Sequence, residues 1–189
     1  MANLKDSSKF AVHDNYYTPK IAWEQINNLI PKDKIIWECF CLGAEKSKSP
    51  EYLEELGNKV VVDRTMNMLR DQPDNWDMIV SNPPFDKTYK LPALVRLVEL
   101  NKPFILVMNS LNTYTKYFRE IFAGKLNELQ IITPDNKINF DKLEDTGELV
   151  QTSKCSFYSV YVCYKMNLTT EQLWITTPSK PKNVKKAKA

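Results

Sequence analysis

The stretch Trp76-Asp77-Met78-Ile79-Val80-Ser81-Asn82-Pro83-Pro84-Phe85 decides how the chain is read. Residues 76–81 are an apolar run closing in a polar turn, as a buried strand does. The two prolines lack backbone donors and cannot extend it, so the strand stops at an Asn followed by two rigid residues and an aromatic ring. Upstream, Lys34-Ile35-Ile36-Trp37-Glu38 and Lys59-Val60-Val61-Val62-Asp63 read as two further strands, each ending in a carboxylate. Downstream, a helix over residues 89–100 places Leu91, Leu94, Val95 and Val98 on one face, with Pro92 in its first turn or marking a late start. A strand over 103–108 follows. The next helix, capped by Ser110 or Thr113, carries a core stripe of Tyr114, Tyr117, Phe118, Ile121 and Phe122 and ends before Gly124. This alternation predicts an α/β fold with a mostly parallel sheet covered on both faces. Residues 128–132 and 155–166 read as two strands with no helix between them.

The loop at 82–85 suits one reaction. An exocyclic amine on a nucleobase is planar and barely nucleophilic, because its lone pair is delocalised into the ring. An Asn side-chain oxygen and a rigidly held proline carbonyl can each accept one amine hydrogen, turning the lone pair towards an incoming methyl group. The neighbouring aromatic ring can stack on the base. No strong base is needed when the methyl donor is a cationic sulfonium. The plain alternative is a strand-terminating turn with a conveniently placed Asn.

Asn82, Pro83, Pro84 and Phe85 resemble the catalytic loop of the S-adenosylmethionine-dependent amino-methyltransferases, most closely the adenine-N6 DNA enzymes of phages and large DNA viruses. The resemblance covers about residues 10–166. It implies a Rossmann-like class I methyltransferase fold, with a mostly parallel seven-stranded sheet and an antiparallel final strand. It further implies those four residues as the catalytic set, S-adenosylmethionine as cofactor, and methyl transfer to the N6 amine of a flipped adenine in DNA. Methylation of an RNA base amine is the nearest rival, because ribosomal RNA enzymes share the loop, and a protein-glutamine methyltransferase is more distant. A degenerate methyltransferase fold kept for binding or assembly is the non-enzymatic rival, since the chain holds four glycines in all.

Other segments fall where that family places its cofactor. Tyr16-Tyr17-Thr18-Pro19-Lys20 precedes an amphipathic helix bearing Ile21, Ala22, Ile26, Leu29 and Ile30. Thr18 is a natural N-cap with Pro19 at the first helical position, and free amides there can hold a carboxylate. By resemblance Tyr17, Thr18 and Pro19 face the methionine carboxylate of the cofactor. Glu38 ends a strand before a loop, the position of a cofactor crevice in doubly wound folds, and Gly43 is the loop's one glycine. A polar run, 45–49, then leads to a helix capped by Ser49 and Pro50. Asp63 can accept from both ribose hydroxyls, and Asn67 falls where relatives read the cofactor adenine amine. Residues 133–154 show no obvious secondary structure, and long irregular connections tend to be functional. There Lys137 offers a cation for phosphate and Phe140 a second stacking ring. Equally, Ile138 and Phe140 could plug the sheet edge.

Composition fits one domain: 189 residues with 43% hydrophobic and 11% aromatic content. No apolar run approaches the roughly 20 residues that cross a bilayer, and the polar N-terminus has no signal-peptide core. The expectation is a soluble intracellular protein without membrane contact, in the cytoplasm or nucleus of a cell or infected host. Cys39, Cys41, Cys155, Cys163 and the single His13 lack zinc-site spacing, so no metal is expected. The net charge of +3 is uneven, since the last ten residues hold five lysines and no acid. Residues 1–15 read as an N-terminal arm, 16–170 as the methyltransferase domain and 171–189 as a basic, disordered tail. With no separate target-recognition domain, specificity should be short or supplied by a protein partner.

Overall fold

A computed structural model describes residues 16–42, 44–144, 146–151 and 157–175. The arm 1–15 with His13, the loop glycine Gly43, Cys155 and the lysine-rich 180–189 segment lie outside the described residues. In chain order the elements are β1 (Tyr16–Tyr17), α1 (Lys20–Ile26), β2 (Ile35–Trp37), α2 (Ser49–Glu55), β3 (Lys59–Val61), β4 (Met78–Ser81), α3 (Lys87–Leu100), β5 (Phe104–Asn109), α4 (Lys116–Ile121), β6 (Leu129–Pro134), β7 (Asp141–Leu143), β8 (Leu149–Gln151), β9 (Ser159–Tyr164) and β10 (Trp174–Ile175).

Seven of these strands form one sheet in the order β10-β6-β9-β5-β4-β2-β3. All neighbours run parallel except at β9, which is antiparallel to both β5 and β6. The expected α/β, Rossmann-like sheet with its antiparallel strand is therefore present. Its period-2 side chains divide into two cores. Ile36, Met78, Val80, Ile105, Val107, Tyr161 and Cys163 face α1 and α2. Trp37, Ile79, Phe104, Leu106, Val162 and Tyr164 face α3 and α4. In β5 the run Phe104-Ile105-Leu106-Val107 is wholly buried, and at about 1.5–3 kcal/mol per side chain this strand anchors both layers. The Tyr161 hydroxyl donates to the Ala22 carbonyl at 2.7 Å, tying α1 to β9.

Several local expectations need correction. Pro19, not Thr18, occupies the N-cap of α1, and no side chain caps that helix. Lys48 holds the N-cap of α2, with Ser49 and Pro50 already helical. Pro92 lies in the second turn of α3, which begins earlier than expected because Asp86 caps it by accepting from the Thr88 amide at 2.7 Å. After β5 a short 3-10 helix, Ser110–Tyr114, is capped by Asn109, and α4 is capped by Thr115. That detour takes Tyr114 out of the stripe: it is exposed, whereas Phe118 and Phe122 are buried.

The segment read as irregular, 133–154, instead carries β7 and β8, which pair as a hairpin. β1 adds to it antiparallel, Tyr16 opposite Lys142, completing a three-stranded sheet. The sheet also continues past the boundary placed at residue 170. A 3-10 turn at Thr170–Leu173 leads into β10, which pairs parallel with the outer strand β6.

Candidate active site

β2 lies between β3 and β4, and the chain visits β3 on one side before crossing to β4 on the other. Such a reversal leaves a crevice beyond the carboxyl ends of the two diverging strands. Here those are β2, followed by Glu38, and β4, which ends at Ser81 before Asn82. The Ser81 hydroxyl donates to Glu38 Oε1, bridging the strand ends, and the Cys41 thiol donates to Oε2. Glu38 is 3% exposed. Burial pushes its carboxyl above the ordinary glutamate value, while the Cys41 and Ser81 hydrogen bonds and the Arg64 charge pull it partly back. The same burial raises the Cys39 and Cys41 thiols, so both stay protonated.

Around this crevice opens a cleft of about 620 Å³, mouth included. Its lining comes from four segments: Tyr16 to Thr18, then Glu38, Phe40, Leu42 and Ala44, then Ser47 and Ser49, and finally Asn82 to Phe85. Tyr17, Thr18, Glu38 and the whole Asn-Pro-Pro-Phe loop thus converge from three segments, the outer two more than 60 residues apart in sequence. A second hollow of about 340 Å³ shares Phe40, Leu42 and Pro84 with the first and adds Asn67, Met68, Leu69 and Tyr89. A small third one, about 170 Å³, lies where Asn82 and Phe85 meet Lys90, Asn109 and Asn112.

Phe85 is seated by rings from three other segments. Its centroid lies 5.3 Å from Phe157, 5.9 Å from Phe140 and 6.0 Å from Tyr16, with the last two contacts edge-on. Edge-to-face packing of this kind favours a fixed ring orientation. Phe140 is buried in this cluster, so it supports Phe85 in the arrangement observed. Ile138 is buried too, as the edge-plug reading had it. Lys137 lies apart from the cleft, its ammonium 5.2 Å from the ring of Tyr158.

Three predicted cofactor residues do not line this cleft: Pro19, at the N-cap of α1, Asp63 and Asn67. Asp63 stands two residues beyond β3, exposed, and accepts from the Thr65 amide at 2.8 Å and the Thr65 hydroxyl at 2.6 Å. Those bonds hold its carboxyl below the ordinary aspartate value. It does not line the cleft. Asn67 reaches the second hollow, but its side-chain oxygen accepts from the Leu69 amide at 3.1 Å.

Three contributors were not picked out from sequence. Arg64 donates to the carbonyls of Ala44 at 2.8 Å and Ser47 at 2.9 Å, pinning the polar loop over the cleft. Ser81 fixes Glu38. Lys90, 9% exposed, donates to the carbonyl of Phe85 at 3.1 Å and so holds the end of the Asn-Pro-Pro-Phe loop. Lys90 carried a readable signal: it shares a helical face with buried Ala93, Leu94 and Leu97, and a lysine in an apolar stripe needs a partner. Among the described residues no group of three or more His, Cys, Asp or Glu is placed to hold a metal.

No protein-family model matches the chain, and no curated protein does. Solved structures do. A provisionally assigned class I S-adenosylmethionine-dependent methyltransferase from Listeria monocytogenes superposes with a TM-score of 0.51 at 13% identity, over 88% of this chain and 67% of that one. The fold is that of the class I methyltransferases. TehB from Haemophilus influenzae aligns at a TM-score of 0.42 and 11% identity, over 77% of this chain and 61% of its own. A TehB-like methyltransferase from Corynebacterium glutamicum aligns at 0.36 and 15%, over 77% and 87% respectively. Among the described residues, no helix is long and apolar enough to cross a membrane.

Proposed function

We propose that the chain is an S-adenosylmethionine-dependent methyltransferase acting on the N6 amine of adenine in nucleic acid, DNA before RNA. One observation carries this reading: Tyr17, Thr18, Glu38 and Asn82 to Phe85 line a single cleft at the sheet's switch point. The residues suit the cofactor. Glu38, held as an acceptor site in the cleft lining, complements the cationic methionine portion, and Thr18 and Ser49 line the same cleft. The adjoining hollow with Phe40, Leu42 and Leu69 offers apolar walls for a purine. When bound, the cofactor supplies an electrophilic methyl group on a sulfonium.

The remaining work belongs to the chain. The Asn82 side-chain oxygen and the Pro83 carbonyl each accept a hydrogen from the target amine, localising its lone pair. Phe85, wedged by Tyr16, Phe140 and Phe157, gives the base a stacking wall. Lys90 holds the Phe85 carbonyl, so the loop does not have to reorganise as charge develops.

A second reading, a methyltransferase fold retained for binding, is favoured by the commitment of Asp63 to its own turn and of Arg64 to the loop carbonyls. Calorimetry with S-adenosylmethionine, followed by radiolabelled methyl transfer to adenine-containing DNA, RNA and a glutamine peptide, separates them. Cofactor binding with label on adenine N6 supports the enzyme. No heat at millimolar cofactor overturns it in favour of the second reading.

A further inference from the structure

Beside the catalytic loop, a strip of exposed apolar and aromatic side chains crosses the end of the sheet. Leu111 and Tyr114 lie three apart in the 3-10 helix that follows β5, and in that geometry residues i and i+3 share one face. They are 68% and 79% exposed. Tyr158, also 68% exposed, is brought alongside by main-chain pairing: the Ser110 amide donates to its carbonyl at 2.8 Å, and Asn109 sits opposite Ser159 in the β5–β9 register. A lysine stands at each end. Lys137 lies 5.2 Å from the Tyr158 ring, and Lys87 lies 5.6 Å from the ring of Tyr117, whose hydroxyl reaches Asn112. Asn109 and Asn112 also line the small hollow with Asn82, so the strip begins at the catalytic loop itself. The acids nearby are engaged: Asp86 caps α3, and Glu120 pairs with Lys116 at 3.6 Å.

We propose that this strip docks an unpaired nucleic-acid strand, with bases stacking on Tyr114 and Tyr158 and phosphates meeting Lys87 and Lys137. Two exposed tyrosines and a leucine gathered beside one another make the kind of contiguous apolar surface that marks an interaction site, and lysines flanking rings match a polyanion with flat faces. A base pair inside a duplex offers no free face to either ring, whereas a single strand offers one at every nucleotide. The proposal rests on reading the cleft as a base-amine methyltransferase, and it narrows the substrate to strands already unpaired around the target.

The test uses the full chain and labelled mixed-sequence oligonucleotides of about 20 nucleotides, long enough to exceed one stacking platform: single-stranded DNA, single-stranded RNA and the DNA duplex. Binding is followed by fluorescence anisotropy, with and without S-adenosylmethionine. Single strands should bind at least about tenfold more tightly than the duplex, and Tyr114→Ala and Tyr158→Ala should each weaken them about fivefold or more. Thermal midpoint and cofactor affinity should not change, because both rings are exposed. Lys87→Gln with Lys137→Gln should make the slope of log affinity against log salt shallower. Binding by either single strand supports the surface and identifies which nucleic acid supplies it. Duplex binding as tight as single-strand binding overturns the proposal. So does a double tyrosine variant within twofold of the parent protein. The two readings fail separately: strand binding that depends on the tyrosines without methyl transfer would sink the enzyme reading alone. Methyl transfer indifferent to both tyrosines would sink the docking surface alone.

Discussion

Glu38 and Asp63 hold similar places in the sequence, each an acid just past a short parallel strand, and they come to opposite ends. Glu38 follows β2, a strand with neighbours on both sides. Its amide continues the ladder to the Val61 carbonyl at 3.1 Å, and its carboxylate is buried between Ser81 and Cys41. Asp63 follows β3, the edge strand, and is exposed in a turn closed by its own bonds to Thr65. What separates them is the sheet's switch point. The crossing from β3 to β4 opens a crevice beside β2 and leaves the end of β3 in solvent.

If the crevice is where the chemistry happens, the largest effect of any single change should come from its Asn-Pro-Pro-Phe loop. Asn82→Ala removes one of two acceptors for the target amine. Methyl transfer should fall about a hundredfold or more, the scale of losing one preorganised transition-state partner, with cofactor affinity nearly unchanged. Single-turnover transfer to adenine-containing DNA measures it, and survival within a few-fold would remove Asn82 from this role.

The two acids can then be set against each other by calorimetry. Glu38→Gln replaces a buried carboxylate in the cleft lining. It should weaken S-adenosylmethionine by roughly 1.5–3 kcal/mol, as for hydrogen bonds to charged groups. Asp63→Asn should cost only a few-fold, because its carboxylate must first leave Thr65. Equal losses would place the ribose on Asp63 after all.

Lys90 tests whether the loop needs its brace. Lys90→Met keeps the stem and removes the ammonium that holds the Phe85 carbonyl, so kcat should drop about tenfold, below the cost of losing a direct transition-state partner, with KM little altered. Lys90→Arg should recover part of the loss. A variant that melts earlier yet turns over normally would reduce Lys90 to a packing role.

The smallest effect is with pH. Burial raises the folded Glu38 carboxyl above its unfolded value, near 4.5, so the folded protein binds that proton more tightly. Its contribution to stability should be fullest below that pH, decline as pH rises to the raised folded value and then level off. Cofactor affinity should climb across the same window as the carboxylate forms. Glu38→Gln should flatten both profiles in denaturant titrations and calorimetry, while Asp63→Asn should leave this window in place.

Much of this architecture was legible along the chain because it rests on local pattern. Apolar runs at 78–81, 104–109 and 159–164 can be satisfied only by burial on both faces of a sheet, and Pro83 and Pro84 fix where β4 must end. Two consecutive prolines behind an Asn mark the loop after β4 wherever the rest of the chain goes. What tertiary structure alone decided depends on partners far apart in sequence. β1 and β7 are each too short to signal themselves and exist as strands because Tyr16 pairs with Lys142. In sequence Phe140 reads as a base clamp or a plug, and only the fold packs it against the rings of Phe85 and Phe157. Glu38 and Asp63 could not be told apart until β4 packed against β2, because burial of a carboxylate is set by the strand beside it and not by the residues around it in the chain.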